Sequence, residues 1–217
     1  LPNTLELIGE YAFSYCSNLT DIHIPSSVKT IRNRAFEYCS GLSGELNLSE
    51  GLERIESYAF YYCRSLSGSL TVPSSVNHIG STAFGYCSNI SGDLILPNGL
   101  EAIEDYTFSD CSNLKGRLKI PSTVNYIGRG AFSNTRITGE LLFPDSLNYL
   151  GRSAFYQCSG LTGTVAIPKK IGNIPNASFA GCEQIETLVL HQNILSLEDA
   201  AFQNCKSLNK IVLQSST

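Results

Sequence analysis

The sequence is poor in charge and contains no long apolar run. Charged residues make up 16% of the 217 positions, and 19 acidic side chains outnumber 15 basic ones, which gives a net charge of −4. A basic face is the electrostatic footprint of nucleic-acid binding, so this balance argues against nucleic acid and against an anionic membrane surface as partners. No stretch approaches the roughly 18–20 apolar residues that a membrane-spanning helix needs, so membrane insertion of this segment is not expected.

The sequence also has no methionine and no charged stretch followed by an apolar one, which is the pattern that begins a secretory leader. It opens at Leu1-Pro2-Asn3, in the middle of the repeat described next. We therefore expect a segment of a longer protein, with any localisation signal lying outside it.

A phenylalanine recurs every 23 or 24 residues along the whole chain. The nine positions are Phe13, Phe36, Phe60, Phe84, Phe108, Phe132, Phe155, Phe179 and Phe202. A period in the twenties is typical of a solenoid, in which each coil buries its apolar face only against its neighbours. The repeat predicts one solenoid domain over residues 1–217 with about nine coils.

The residues of one coil predict a strand followed by a short helical turn. Ile22-His23-Ile24 alternates apolar and polar residues as a half-buried strand does, and Pro25 ends it. The residue three before each Phe is often Asn, Ser or Asp, which favours a helix N-cap, as at Asn33. The predicted fold is an α/β solenoid, a right-handed superhelix with a parallel sheet on its concave face and short helical turns on its convex face.

Two further columns of the repeat are predicted to be structural. Glycine precedes the strand in six coils, and we expect it to form a tight bend with positive φ: Gly44, Gly68, Gly92, Gly116, Gly139 and Gly163. A cysteine lies three residues after the Phe in eight coils, so the thiols form one column pointing into the core. Parallel side chains in a ladder do not easily meet the torsion of a disulfide, and reduced core thiols are expected.

The repeat pattern resembles the BspA-like subclass of leucine-rich repeats along essentially the whole chain. The clearest copy runs Leu94-Ile95-Leu96-Pro97, followed by Leu100, Ile103, Phe108, Cys111 and Leu114. The resemblance implies a leucine-rich repeat scaffold of the kind found in surface and secreted proteins of host-associated microbes, with adhesin-like binding and no catalytic residues. Thr135 in place of a cysteine and Pro175 ahead of its Phe depart from the pattern, and we expect local adjustments there.

Two surfaces are candidates for binding. The first is the exposed column of the predicted concave sheet, formed by His23, Asn47, Thr71, Ile95, Lys119, Leu142, Ala166, Val189 and Val212. Its second half is largely apolar, which indicates either an interaction site or simply the preference of strands for β-branched residues. The second is an aromatic column that follows the Phe by two residues, formed by Tyr15, Tyr38, Tyr62 and Tyr86. It is either packing over the turn or a lateral binding surface.

These features favour a non-enzymatic binding scaffold at a cell surface or outside the cell, whose partner is a protein or a glycan of unknown identity. A structural spacer that holds another domain away from a surface is the alternative, and an enzyme is the weakest hypothesis. The three histidines lie in different coils and at different repeat positions, so neither a metal site nor a cofactor is predicted.

Overall fold

The chain winds through nine successive coils in the computed structural model, which describes residues 1–214. Its strands are short and all their pairings are parallel, as predicted. The strands of the described residues are β1 (Leu7–Ile8), β2 (Thr30–Ile31), β3 (Arg54–Ile55), β4 (Gly68–Thr71), β5 (His78–Ile79), β6 (Ile90–Ile95), β7 (Ala102–Ile103), β8 (Tyr126–Ile127), β9 (Tyr149–Leu150), β10 (Thr162–Ala166), β11 (Asn173–Ile174), β12 (Gln184–His191), β13 (Ser196–Leu197) and β14 (Lys210–Gln214).

The strands form two rows on different sides of each coil. One row lies at the predicted position and contains β4 paired with β6, and β10, β12 and β14 paired in that order. The other row, which the sequence did not predict, consists of two-residue strands that lie before each Phe. Its pairings run β1-β2-β3-β5, then β7-β8-β9, then β11-β13.

The predicted sheet is not continuous. Within residues 1–214, no strand forms at positions 22–24, 46–48, 118–120 or 141–143, where the sequence predicted one. Only isolated bridges join neighbouring coils around these gaps, such as Arg117 with Thr138 and Gly139 with Leu161. The prediction of one sheet running through all nine coils is therefore wrong in its middle and at its start.

The predicted helical turns are also wrong, because no helix forms anywhere in the described chain. Each Phe lies instead in a run of tight turns, whose N–H groups donate alternately to the next coil and to their own coil. The N–H of Phe36 donates to the Ala59 carbonyl of the next coil (2.8 Å), whereas the N–H of Cys39 donates back to the Phe36 carbonyl within its own coil (3.1 Å). A helix would send every N–H back along its own segment, so this ladder between coils excludes it.

With this alternation, the residues two positions before and two positions after every Phe adopt a left-handed backbone conformation. The φ angle at these positions is positive in all nine coils, as at Arg34 (57°) and Tyr38 (57°). A positive φ at the third residue of a turn is the geometry of a type II turn, which usually selects glycine or asparagine. Asp105, which lies three residues before its Phe, has another role than capping a helix, because its Oδ1 accepts the Arg129 N–H of the next coil (2.7 Å).

The Phe column forms the centre of the core. Adjacent rings stack nearly parallel, with centroids 5.1–5.7 Å apart and interplanar angles of 4–15°. The seven internal rings are fully buried, whereas Phe13 and Phe202 at the two ends are half-buried. Burial of an aromatic ring of this size stabilises the fold by about 1.5–3 kcal/mol.

The eight cysteines are free thiols beside this stack, and six of them are buried. The thiol of each cysteine after Cys16 donates to the Phe carbonyl of the preceding coil, as Cys87 does to Phe60 at 3.1 Å. Burial raises the pKa of Cys111 to about 12, so these thiols stay protonated. Thr135 stands where the sixth coil lacks a cysteine, and its hydroxyl donates a hydrogen bond to the Phe132 carbonyl of its own coil (2.9 Å).

The glycines before the strands have two different roles. Gly44, Gly68, Gly139 and Gly163 have φ between 68° and 83°, which confirms the predicted bends. Gly92 and Gly116 have no such φ, so the prediction is wrong for them. A Cβ at either would overlap the preceding coil, where it would meet Ser69 or Asp93, and close packing is the reason for glycine there.

Candidate functional site

The predicted strand column lies on the surface. We call it the strand face and keep its membership: His23, Asn47, Thr71, Ile95, Lys119, Leu142, Ala166, Val189 and Val212. The first seven are exposed, and the last two are half-buried. Ile95 and Leu142 are 52% and 60% exposed, so both present apolar surface to solvent.

A groove crosses the strand face where the sheet is interrupted. It consists of two cavities of about 440 and 650 Å³, and Asn98, Arg117 and Lys119 line both of them. Ile95 contributes to the smaller cavity, and Leu142 to the larger one. The groove lies beside positions 118–120 and 141–143, where no paired strands form.

The larger cavity combines apolar walls with basic side chains. Phe143 stands where the other coils have Leu, Ile or Val, and its ring packs edge-on against Phe155 at 5.8 Å. Within residues 1–214, neither Arg117 nor Lys119 forms an ion pair. Apolar walls with a few polar groups that fix orientation are typical of ligand sites.

Sequence reasoning found the column but missed two of the groove's residues. Asn98 lies after the strand position, in the turn that follows Pro97, and was not part of any periodic column. Phe143 is the last residue of the predicted strand at positions 141–143, which the repeat alone marks as an ordinary apolar position. The signal that could have identified Phe143 is its size, because the equivalent residue is aliphatic in every other coil.

The aromatic column forms a continuous stack. The rings of Tyr15, Tyr38, Tyr62 and Tyr86 follow one another with centroids 4.6–4.8 Å apart. Tyr15 is 67% exposed, whereas the other three are half-buried. The structure thus brings the four residues together in one stack. Whether they bind a partner stays a prediction.

An arginine inside this aromatic region was missed by sequence reasoning. The Arg34 guanidinium lies 5.7 Å from the Tyr11 ring centroid and 4.7 Å from that of Tyr58. Its Nη1 also lies 3.3 Å from the Glu37 carboxylate, whose side chain is almost fully buried. Arginine commonly binds aromatic faces in this way, and the contacts here tie three coils together.

The described residues contain no group of three or more His, Cys, Asp and Glu side chains that could hold a metal ion. Over the same residues, no helix is long and apolar enough to span a bilayer.

Several known proteins share this repeat. The family described as BspA type leucine rich repeat region (6 copies) matches residues 1–115, 39–162 and 116–217, which together cover the chain. A leucine-rich repeat protein from Bacteroides ovatus ATCC 8483 is 31% identical over 99% of this chain, with a TM-score of 0.80, and the chain spans 54% of that protein's length. No curated protein matches.

Two further solved structures share the fold at greater distance. The T. pallidum leucine rich repeat protein is 28% identical, with a TM-score of 0.59, over 84% of this chain and 80% of its own. The pneumococcal vaccine antigen PcpA is 20% identical, with a TM-score of 0.59, over 96% of this chain and 67% of its own. The periodic core, the parallel coils and these matches agree, and the chain belongs to the BspA-type leucine-rich repeat family.

Proposed function

We propose that this chain is a non-enzymatic binding scaffold of the adhesin type, displayed on a cell surface or secreted, and that the groove of the strand face binds a protein or glycan partner. The observation that carries the proposal is the groove itself. It joins two exposed aliphatic side chains, Ile95 and Leu142, to two basic ones, Arg117 and Lys119. The cell-surface or secreted location rests on membership of the family.

The composition of the groove resembles the centre of a protein interface. Burying Ile95 and Leu142 under a partner would remove from water much of two side chains that are more than half exposed. Full burial of one such side chain contributes about 1.5–3 kcal/mol. Arg117 supplies a guanidinium, the charged group most enriched in interface hot spots.

The alternative is a structural spacer with no partner of its own. A spacer needs a regular stack and gains nothing from exposed aliphatic side chains beside an interrupted sheet. The spacer therefore accounts for the nine coils but not for the groove.

An array of purified extracellular matrix proteins, plasma proteins and mammalian glycans tests the proposal. The chain should bind at least one of them, and the double variant Ile95→Asp with Leu142→Asp should lose that binding, since a charge at either position would have to be desolvated in the complex. Both positions are exposed, so the far-UV circular dichroism and thermal unfolding of the variant should match those of the parent.

The matched control is Leu7→Asp with Leu195→Asp. These aliphatic side chains are 41% and 83% exposed and lie outside both cavities of the groove, so the control makes the same chemical change elsewhere on the surface. If it retains binding and the groove variant does not, the proposal stands. Equal binding by both variants, or no binding to any component of the array, would favour the spacer.

A further inference from the structure

A second site, separate from the groove and referred to below as the second cavity, opens on another side of the coil, in the row of two-residue strands. It measures about 400 Å³ and lies where the row is interrupted between β9 and β11. Its lining includes Arg129, Arg152, Tyr149, Asn148, Asn173 and Glu198. None of these residues belongs to the strand face, so the cavity is independent of the groove.

Pro175 removes one of the hydrogen bonds that would close this interruption. The row is also interrupted between β5 and β7, where Glu104 occupies the equivalent position. In six other coils, the residue four positions before the Phe donates its N–H to the preceding coil, as Gly151 does to the Ile127 carbonyl at 2.7 Å and Glu198 does to that of Ile174 at 2.9 Å. Proline has no N–H, so Pro175 cannot make the equivalent bond to Leu150. The turns around Phe155 still donate to the next coil, and β10 still pairs with β12, so the hydrogen bonds between these two coils persist on either side of the interruption.

The charge of the cavity favours an anion. Arg129 and Arg152 occupy the same repeat position in adjacent coils, and both side chains are exposed. No ion pair engages either guanidinium within the part of the chain that the structure describes. Glu198 is the opposing charge, but its Oε2 already accepts the Asn176 N–H at 3.0 Å. A guanidinium group matches the planar, two-oxygen geometry of a carboxylate, and this cavity is lined by two of them.

The remaining lining favours a sugar as the carrier of that carboxylate. Tyr149 stacks on Tyr126 of the preceding coil, with centroids 4.5 Å apart and an interplanar angle of 5°. The equivalent residue of the next coil is Asn173, which has no ring, and Tyr149 is 47% exposed at the cavity. An open aromatic face suits the C–H face of a sugar ring, and the amides of Asn148 and Asn173 can both donate to and accept from its hydroxyls.

The geometry points to a binding site for an acidic sugar, a uronic acid residue of a glycan, between Arg129, Arg152 and Tyr149. The size agrees, because about 400 Å³ lies at the lower end of the roughly 300–1,000 Å³ of small-ligand pockets. A peptide carboxylate would satisfy the arginines but would leave the tyrosine face and the two amides without a matching partner.

Titration with methyl β-D-glucuronide, followed by amide chemical shifts in NMR, tests the site. The uncharged methyl β-D-glucoside is the matched ligand, and N-acetylglutamate amide supplies the same carboxylate on a peptide-like carrier. The glucuronide should bind most tightly and shift the signals of Asn148 and Asn173. Equal binding of the acetylglutamate amide would overturn the assignment to a sugar, and equal binding of the glucoside would overturn the role of the arginines.

Single substitutions then assign the charges. Arg129→Gln and Arg152→Gln should each weaken glucuronide binding about tenfold, the effect of losing one charged hydrogen-bonding partner. Glu198→Gln should strengthen it, because a like charge leaves the cavity. Arg136→Gln is the control, since Arg136 is exposed, lies outside the cavity and changes the net charge equally. Equal weakening by Arg136→Gln would show non-specific attraction and overturn the site.

Discussion

Replacement of one internal phenylalanine by alanine should show how much of the stability comes from the stacked core. Phe84 is fully buried and lies between Phe60 and Phe108, with centroids at 5.4 and 5.7 Å. Phe84→Ala removes the ring from both neighbours and leaves a cavity that the ladder of turns on either side prevents from closing. The free energy of unfolding should fall by about 3–5 kcal/mol.

The terminal ring provides the control for this measurement. Phe13 is half-buried and stacks on one neighbour only, Phe36, at 5.1 Å. Phe13→Ala should therefore cost only about 1–2 kcal/mol, roughly half of the transfer free energy of a buried ring. Both values follow from chemical denaturation monitored by circular dichroism. Equal losses at the two positions, or a loss below about 1 kcal/mol at Phe84, would refute the stacked core as the main source of stability.

Three further perturbations test other parts of the structure. Burial raises the pKa of Cys39 to about 11 and that of Cys158 to about 12, so the thiols of the unfolded chain lose their protons at lower pH than those of the folded chain. The thiols' contribution to the free energy of unfolding should be fully present below the ordinary pKa of 9.0 and should be lost as the pH rises through 11. Denaturation curves that show no change of stability over this range would contradict this. Arg34→Ala should lower the free energy of unfolding by about 1–3 kcal/mol in chemical denaturation, because the buried Glu37 carboxylate loses its ion partner. Arg34→Lys should recover part of this stability, and an unchanged stability of Arg34→Ala would show that the ion pair does not stabilise the fold. Pro175→Ala should supply the missing N–H to the Leu150 carbonyl, so the new amide should exchange slowly with solvent. Fast exchange would show that restoring this one N–H does not close the row between β9 and β11.

The period of the sequence identified the coils, the parallel pairing and the buried columns, because the buried positions recur once per repeat whatever the exact backbone path of the turns. It did not identify the turns. An Asn or Ser followed by Ala and Phe favours a helix cap in a single chain segment, but here every second N–H bonds to the next coil. The resulting positive φ falls on residues such as Tyr38 and Thr82, which seldom adopt it.

The surfaces were predictable only in part, for a related reason. Alternation predicted that Ile95 and Leu142 would face outward, and both do. The groove and the second cavity arise where neighbouring coils fail to pair, which depends on contacts between residues about 24 positions apart. Pro175 was visible as a departure from the repeat, but its consequence required knowing which carbonyl its missing N–H would have met.

Hydrogen–deuterium exchange of the chain bound to its partner from the extracellular array tests the proposed binding surface most directly. Binding at the groove should slow exchange around residues 94–98, 117–121 and 142–144, which line its two cavities, and leave the aromatic column unchanged. Protection confined to Tyr15, Tyr38, Tyr62 and Tyr86, or spread evenly over all coils, would contradict the assignment of binding to the strand face.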